Sequence, residues 1–348
     1  MNLFLLLTLF FFSARAENLD SILSSYRLQN PSVGTLELVN RFYGIEHRNG
    51  RDFEIIVPQE EASFFLSLAP FAQLVSLDVA KDNRERLSSF ELASGYRTFD
   101  EVKAWMRNIE VNKNFATVLQ YGVSGGGREL LALRLRTGDE KKPIIMITAA
   151  THGDELITTE VLLRLVDQIV EGSKDNQRFQ KMVDKYDLYF VPVVNPDGFV
   201  MSRRFEGRFD PNRSYPWPGN LNVNPTPSIE AIIQLVEAIR PVASIDFHAY
   251  GEMIMYPWAY TKDSVASPAK EKFHSVTGHM AAANNYVFGP ISKVIYVAPG
   301  SSADYYFWRT GSFSLGIEIG KSKIPNPSEI PRYVQSQAES TWRFIESF

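Results

Sequence analysis

From Tyr96 to the C-terminus, short apolar runs alternate with segments of helical periodicity, and few architectures accommodate that order. Residues 130–135, 144–149, 188–194, 243–247 and 314–319 read as strands. The run at 144–149 is almost wholly apolar, as a strand covered on both faces must be. Between and after these runs, residues 156–170, 229–239, 264–284 and 327–348 read as helices. Pro241 stops one of them, and Thr98 caps an earlier helix that presents Val102, Trp105 and Met106. The pattern predicts an α/β fold: a mixed, mostly parallel central sheet with helices on both faces, built from residues 88–348.

Upstream, residues 17–87 read as a separate small α/β domain. Residues 35–39, 53–57 and 74–79 are strand-like, and 58–72 suit a helix with Glu60 and Glu61 at its positive end. His47 lies beside Asn49 and Gly50 in an expected hairpin turn. The charged run at 81–86 reads as an exposed linker or a solvated helix end. Residues 3–12 are apolar apart from Thr8, and Ala14-Arg15-Ala16 offers small residues at a cleavage site, so residues 1–16 are expected to be a signal peptide and the protein secreted, extracellular or periplasmic. That run is far shorter than the ~20 residues that span a bilayer, and no later segment is long and apolar enough.

The chain has no cysteine, which excludes disulfides, thiol nucleophiles, Cys-ligated zinc and Fe–S clusters. Its net charge of −4 gives no nucleic-acid footprint. The candidate chemistry is carried by histidine and carboxylate. The strand at 144–149 runs into Thr151-His152-Gly153-Asp154-Glu155, and a helix follows. In open α/β sheets, ligands gather at the carboxyl ends of strands. The spacing lets the His152 imidazole and the Glu155 carboxylate converge on one ion. His248 arrives at the end of another expected strand, in Asp246-Phe247-His248. Two His and one carboxylate, with a position left for water, form a recognised catalytic zinc set. His274 and His279, five apart on an expected helix, are poorly spaced to share a face and read as surface residues.

These motifs resemble the zinc metallocarboxypeptidases of the carboxypeptidase A/B type, from about Tyr96 onward. The resemblance implies one Zn2+ per chain, held by His152, Glu155 and His248. Asn195-Pro196-Asp197-Gly198-Phe199 is similar to the family's segment after its central strand. Asp210-Pro211-Asn212-Arg213 resembles its D-x-N-R motif, which implies that Asn212 and Arg213 bind a substrate's terminal carboxylate while Asp210 supports a zinc-bound His. By the same resemblance Tyr296 is the mobile substrate-binding tyrosine, Glu318 the catalytic base and Ala303 the floor of the specificity pocket. The chemistry agrees: a guanidinium pairs bidentately with a carboxylate, and a carboxylate at the end of an apolar strand needs a task or a partner. For the cation that stabilises the oxyanion, Arg203 is the first expectation and Arg204 the second.

The expected reaction is hydrolysis of the C-terminal peptide bond by a zinc-activated water with Glu318 as base. Ala303, just before Asp304, would floor the pocket and Met255, Ala259, Ile291 and Ile295 would line the rest; none of these lining residues is acidic, so the C-terminal residue removed should be neutral or apolar, and Glu252 is the nearest acid whose direction is open. Residues 17–87 resemble the activation segment of such enzymes, which implies a zymogen opened by a protease near Arg84 or Arg86, acting as a monomer on peptide or protein C-termini. A peptidoglycan-peptide peptidase, a zinc amidohydrolase and an inactive zinc- or peptide-binding module remain open alternatives.

Overall fold

The computed structural model describes residues 21–40, 42–43, 45–49, 51–89 and 95–348, so the expected signal peptide over 1–16 lies outside the described residues. The first unit comprises β1 (Leu23–Leu28), α1 (Val33–Asn40), β2 (Ile45–Asn49), β3 (Asp52–Pro58), α2 (Ala62–Leu68), β4 (Gln73–Ser76) and α3 (Val79–Ser89). Its four strands form an antiparallel sheet in the order β2-β3-β1-β4. His47 falls in the β2–β3 hairpin. Tyr26, Ile45, Ile55, Val57 and Phe65 build a core of its own.

One local expectation fails here and one open alternative is decided, each for an identifiable reason. Residues 35–39 are not a strand but part of helix α1, because the Ser32 hydroxyl accepts from the Thr35 amide and caps the first turn. Residues 81–86, read as an exposed linker or a solvated helix end, lie in the middle of helix α3. The Asp78 carboxylate accepts from the Lys81 amide at its start, and the helix is tied to the larger unit. Asn83 donates to the Ser202 carbonyl at 2.9 Å and Arg86 to the Ile324 carbonyl at 2.7 Å.

The larger unit runs α4 (Phe99–Asn112), β5 (Ala116–Val123), β6 (Glu129–Leu135), β7 (Ile144–Ala149), α5 (Leu156–Gly172), α6 (Gln177–Lys185), β8 (Asp187–Val191), α7 (Pro196–Met201), α8 (Pro227–Ile239), β9 (Ala243–His248), β10 (Met253–Tyr256), α9 (Ala269–Ala281), β11 (Val287–Pro290), α10 (Ile291–Val294), α11 (Ser302–Thr310), β12 (Phe313–Glu318) and α12 (Ile330–Ile345). Eight strands form one mixed sheet in the order β11-β10-β12-β9-β7-β8-β6-β5. Strands β12, β9, β7 and β8 are mutually parallel and occupy its middle.

The period-two alternation of the central strands decides which face each side chain joins. Ile145, Ile147 and Ala149 of β7 join Ala243, Ile245 and Phe247 of β9 in the core under α4, α5, α9 and α12. Met146, Tyr189 and Val191 point the other way, into a second core with Ile229, Ile232 and Val236 of α8 and Tyr305 and Tyr306 of α11. Because β12, β9, β7 and β8 run the same way, their C-terminal ends share one edge of the sheet.

Thr98 caps α4 as the sequence predicts, and the cap is reciprocal. Its hydroxyl accepts from the Glu101 amide at 3.3 Å, while the Glu101 carboxylate accepts from the Thr98 amide at 2.7 Å. Thr98→Ala should lower stability by about 1 kcal/mol, read as a lower urea midpoint with an unchanged slope; an unchanged midpoint would remove the cap from the account.

Candidate metal centre

Three parallel strands deliver the central residues. His152 follows the end of β7, His248 is the last residue of β9 and Glu318 the last of β12. Glu318 and His248 are Cα partners across the β12–β9 ladder. Glu155 stands at the N-cap position of α5, three residues after His152, with its side chain free of the helix backbone.

The side chains of His152, Glu155 and His248 are buried, and one ligand atom from each lies within 4.8 Å of the others. The Glu155 carboxylate stands 2.8 Å from His152 Nδ1 and 3.1 Å from His248 Nδ1. The two Nδ1 atoms are themselves 3.2 Å apart. Each ring's other nitrogen faces a second buried carboxylate. His152 Nε2 lies 3.1 Å from Asp210, and His248 Nε2 lies 3.1 Å from Asp246. A neutral imidazole that donates from Nε2 keeps a lone pair on Nδ1.

Two such lone pairs and the Glu155 oxygens then converge with acceptors on every side. Burial would lower the His248 pKa, but Asp246 and Glu155 outweigh it and push it well up, so the cluster draws positive charge. Burial would raise the Glu155 carboxyl, but the two facing imidazoles hold it at about 2. Zinc fits this donor set: two imidazole nitrogens, one ionised carboxylate and a carboxylate behind each ring.

The ligand turn is fixed from below. Asp154 is buried and accepts from Lys323 at 2.8 Å. A Cβ on Gly153 would sit 2.1 Å from the backbone of Gly198, so this position has room for glycine alone.

The segment after α7 supplies the rest, and here one expectation is corrected. Arg203 does not reach the cavity; its guanidinium turns back to donate to the Gly207 carbonyl. Its neighbour Arg204 lines the cavity, bound to Asp210 by Nε at 3.0 Å and Nη2 at 2.8 Å, with Nη1 3.8 Å from Glu155. Both arginines are buried, so composition and exposure could not separate them. Asp210 therefore joins His152 to Arg204. Burial would raise its carboxyl, but Arg204, His152 and Arg213 drive it well below the usual carboxylate range.

Asn212, Arg213 and Tyr296 line the same cavity. Arg213 donates to the Tyr296 hydroxyl at 3.0 Å, and its Nε is buried without a partner among the described residues. Glu318 lines the same cavity, and its Oε2 is likewise buried with no donor among the described residues. Burial and the nearby Glu155 raise the Glu318 carboxyl to about 7; a divalent cation beside it would pull that value down again.

Apart from Ser301, Ser302 and Gly316, the remaining wall is apolar. Ala303, Met255, Ile291 and Ala298 form one buried cluster with Ile295 beside it. Asp304, next to Ala303, turns away to accept from the Ala259 and Tyr260 amides. Glu252 lies 3.8 Å from Lys321 and is not part of the cavity wall. His274 and His279 both lie on the exposed side of α9.

A family model described as zinc carboxypeptidase matches residues 102–340. The chain belongs to the zinc carboxypeptidase family. As a metallocarboxypeptidase it is a peptide hydrolase of a zinc-dependent family. This carboxypeptidase is 28% identical to carboxypeptidase SOL1 of Arabidopsis thaliana over 71% of its own length, and it spans 54% of that relative. It is 25% identical to carboxypeptidase A2 of Mus musculus over 74% of its length, covering 70% of that chain. Among solved structures, carboxypeptidase A from Helicoverpa armigera shares the fold with a TM-score of 0.73 at 20% identity, covering 94% of this chain and 96% of that one. Residues 88–348 alone are too few to reach that coverage, so the likeness of fold takes in the small N-terminal unit. No helix among the described residues is long and apolar enough to cross a membrane.

The carboxypeptidase should bind one zinc per chain when assayed by atomic absorption after dialysis. His152→Ala and His248→Ala should each lose most of that metal while keeping a folded circular-dichroism spectrum. Retention of a full equivalent in either variant would break the proposed ligand set.

Proposed function

We propose that this carboxypeptidase removes neutral or apolar residues from peptide C-termini, with His152, Glu155 and His248 as zinc ligands and Glu318 as general base. The observation that carries the reading is the unpartnered, buried Oε2 of Glu318 in a cavity shared with that triad and with Arg213. A buried carboxylate oxygen without a donor is costly unless it has a task.

When bound, zinc would polarise the scissile carbonyl and lower the pKa of a coordinated water. Glu318 would accept the proton of the attacking water and pass it to the leaving amine as the C–N bond breaks. The Arg204 guanidinium, held in place by Asp210, would stabilise the tetrahedral oxyanion. Arg213 and Asn212 would bind the terminal carboxylate, and Tyr296 would close over it. The apolar wall around Ala303 supports a neutral side chain there, because a substrate cation would lose its hydration without gaining a counter-charge.

The N-terminal unit would act as a zymogen segment. Tyr296 packs against the small core, and its hydroxyl donates to the Ile45 carbonyl at 2.8 Å. Asn40 donates to the Val297 carbonyl at 3.1 Å, so two neighbours on the substrate-side loop are engaged by the small unit. Secretion fits an enzyme of this kind and remains part of the same proposal.

Glu318→Gln should keep its zinc and lose kcat by at least about 10³-fold on N-blocked dipeptides ending in Phe or Leu; full turnover would remove Glu318 from the mechanism. Arg204→Ala should cost about 10²–10³ in kcat, whereas Arg203→Ala should change it little. The reverse order would reinstate Arg203. Faster release of C-terminal Arg than of Phe, or release from muropeptides alone, would overturn the substrate class. Limited trypsin treatment of the full chain should raise activity, and equal activity before and after would refute the zymogen reading.

A further inference from the structure

We propose that Asp246 is a positioning residue that orients His248 toward the metal and ties it, through Ser302, to the seat of the substrate's terminal carboxylate. This rests on the reading of His248 as a zinc ligand and of Asn212 as a carboxylate donor.

Residues 246 and 248 lie two apart on β9, so both side chains stand on one face of the sheet, with Asp246 beneath the imidazole. The Asp246 carboxylate is buried among donors from four parts of the fold. Thr148 of β7 donates to Oδ1 at 2.7 Å, and Thr151 of the ligand turn lies 3.0 Å from Oδ1 and 3.2 Å from Oδ2. Ser302, at the start of α11, donates to Oδ2 at 2.7 Å, and His248 Nε2 stands 3.1 Å from the same oxygen. A carboxylate offers about four lone-pair sites, and four donors occupy them. Such a group has little freedom to rotate. It holds the Nε2–H of His248 and leaves Nδ1 facing Glu155.

Ser302 extends the network. While its hydroxyl serves Asp246, its backbone amide donates to Asn212 Oδ1 at 2.9 Å. That bond settles which end of the Asn212 amide remains for a ligand: Nδ2, 3.2 Å from His248 Nε2. The next residue, Ala303, belongs to the apolar wall. A disturbance at Asp246 therefore reaches the metal ligand by one bond and the carboxylate donor by two.

The test compares the full-length wild type with Asp246→Asn, which keeps the shape and removes an acceptor. Zinc affinity should weaken by about 10–100-fold in competition with a chromophoric chelator. The visible bands of the cobalt-substituted protein should shift, and KM for an N-blocked dipeptide should rise as kcat falls. Ser302→Ala should raise KM more than it weakens zinc binding. Thermal unfolding of the metal-free proteins separates these effects from loss of fold. Should Asp246→Asn not fold, Ser302→Ala and Thr151→Ala, which retain the carboxylate but loosen it, must still shift the cobalt spectrum. Wild-type zinc affinity with an unchanged cobalt spectrum in the folded variants overturns the proposal, and an unchanged KM in Ser302→Ala overturns the link to Asn212. A wild-type chain that takes up no zinc would instead refute the metal reading itself.

Discussion

Around His152, Glu155 and His248 the chain has assembled more acceptors than protons can satisfy. Two imidazole Nδ1 atoms 3.2 Å apart share one carboxylate, and each ring is backed by another. Bringing these groups together without a cation costs desolvation and lone-pair repulsion. Much of the surrounding architecture serves to hold that arrangement. Parallel strands place the residues at one edge, α5 begins at Glu155, and Asp210 carries His152 on one oxygen and Arg204 on the other.

The sheet explains why residues so distant in sequence meet. Parallel neighbours in register end together, so the end of β9 and the end of β12 bring His248 and Glu318 side by side. The turn after β7 needs only a few residues to join them, and the segment after β8 reaches the same edge. The fold's contribution to the chemistry is this common edge, together with two cores that hold the strands rigid on either face.

Much of this was legible in the sequence because the signals are local or periodic. The apolar run of β7, the cap at Thr98 and the His152–Glu155 spacing all fall within one or two turns of chain. What escaped depends on capping or on long-range contact. Helix α1 carries a strand-like alternation that the Ser32 cap overrides. Helix α3 is charged and largely exposed, yet it is held by carbonyls more than a hundred residues away. Arg203 and Arg204 are adjacent and alike, and only the position of Asp210 distinguishes them. Asp246 was visible as Asp-x-His on a strand, a spacing that puts both side chains on one face. The three hydroxyls that reach its carboxylate from elsewhere in the fold, from Thr148, Thr151 and Ser302, left no comparable mark in the sequence.

The bond between the Tyr296 hydroxyl and the Ile45 carbonyl has a consequence for concentration. A carbonyl carried on the same chain competes for that hydroxyl at an effective molarity in the millimolar range for a short tether. Under the zymogen proposal, a dissolved peptide at micromolar levels would need correspondingly tighter contacts of its own to displace it. On that proposal, severing the tether would change none of the contacts but would turn a local rival into a dilute one.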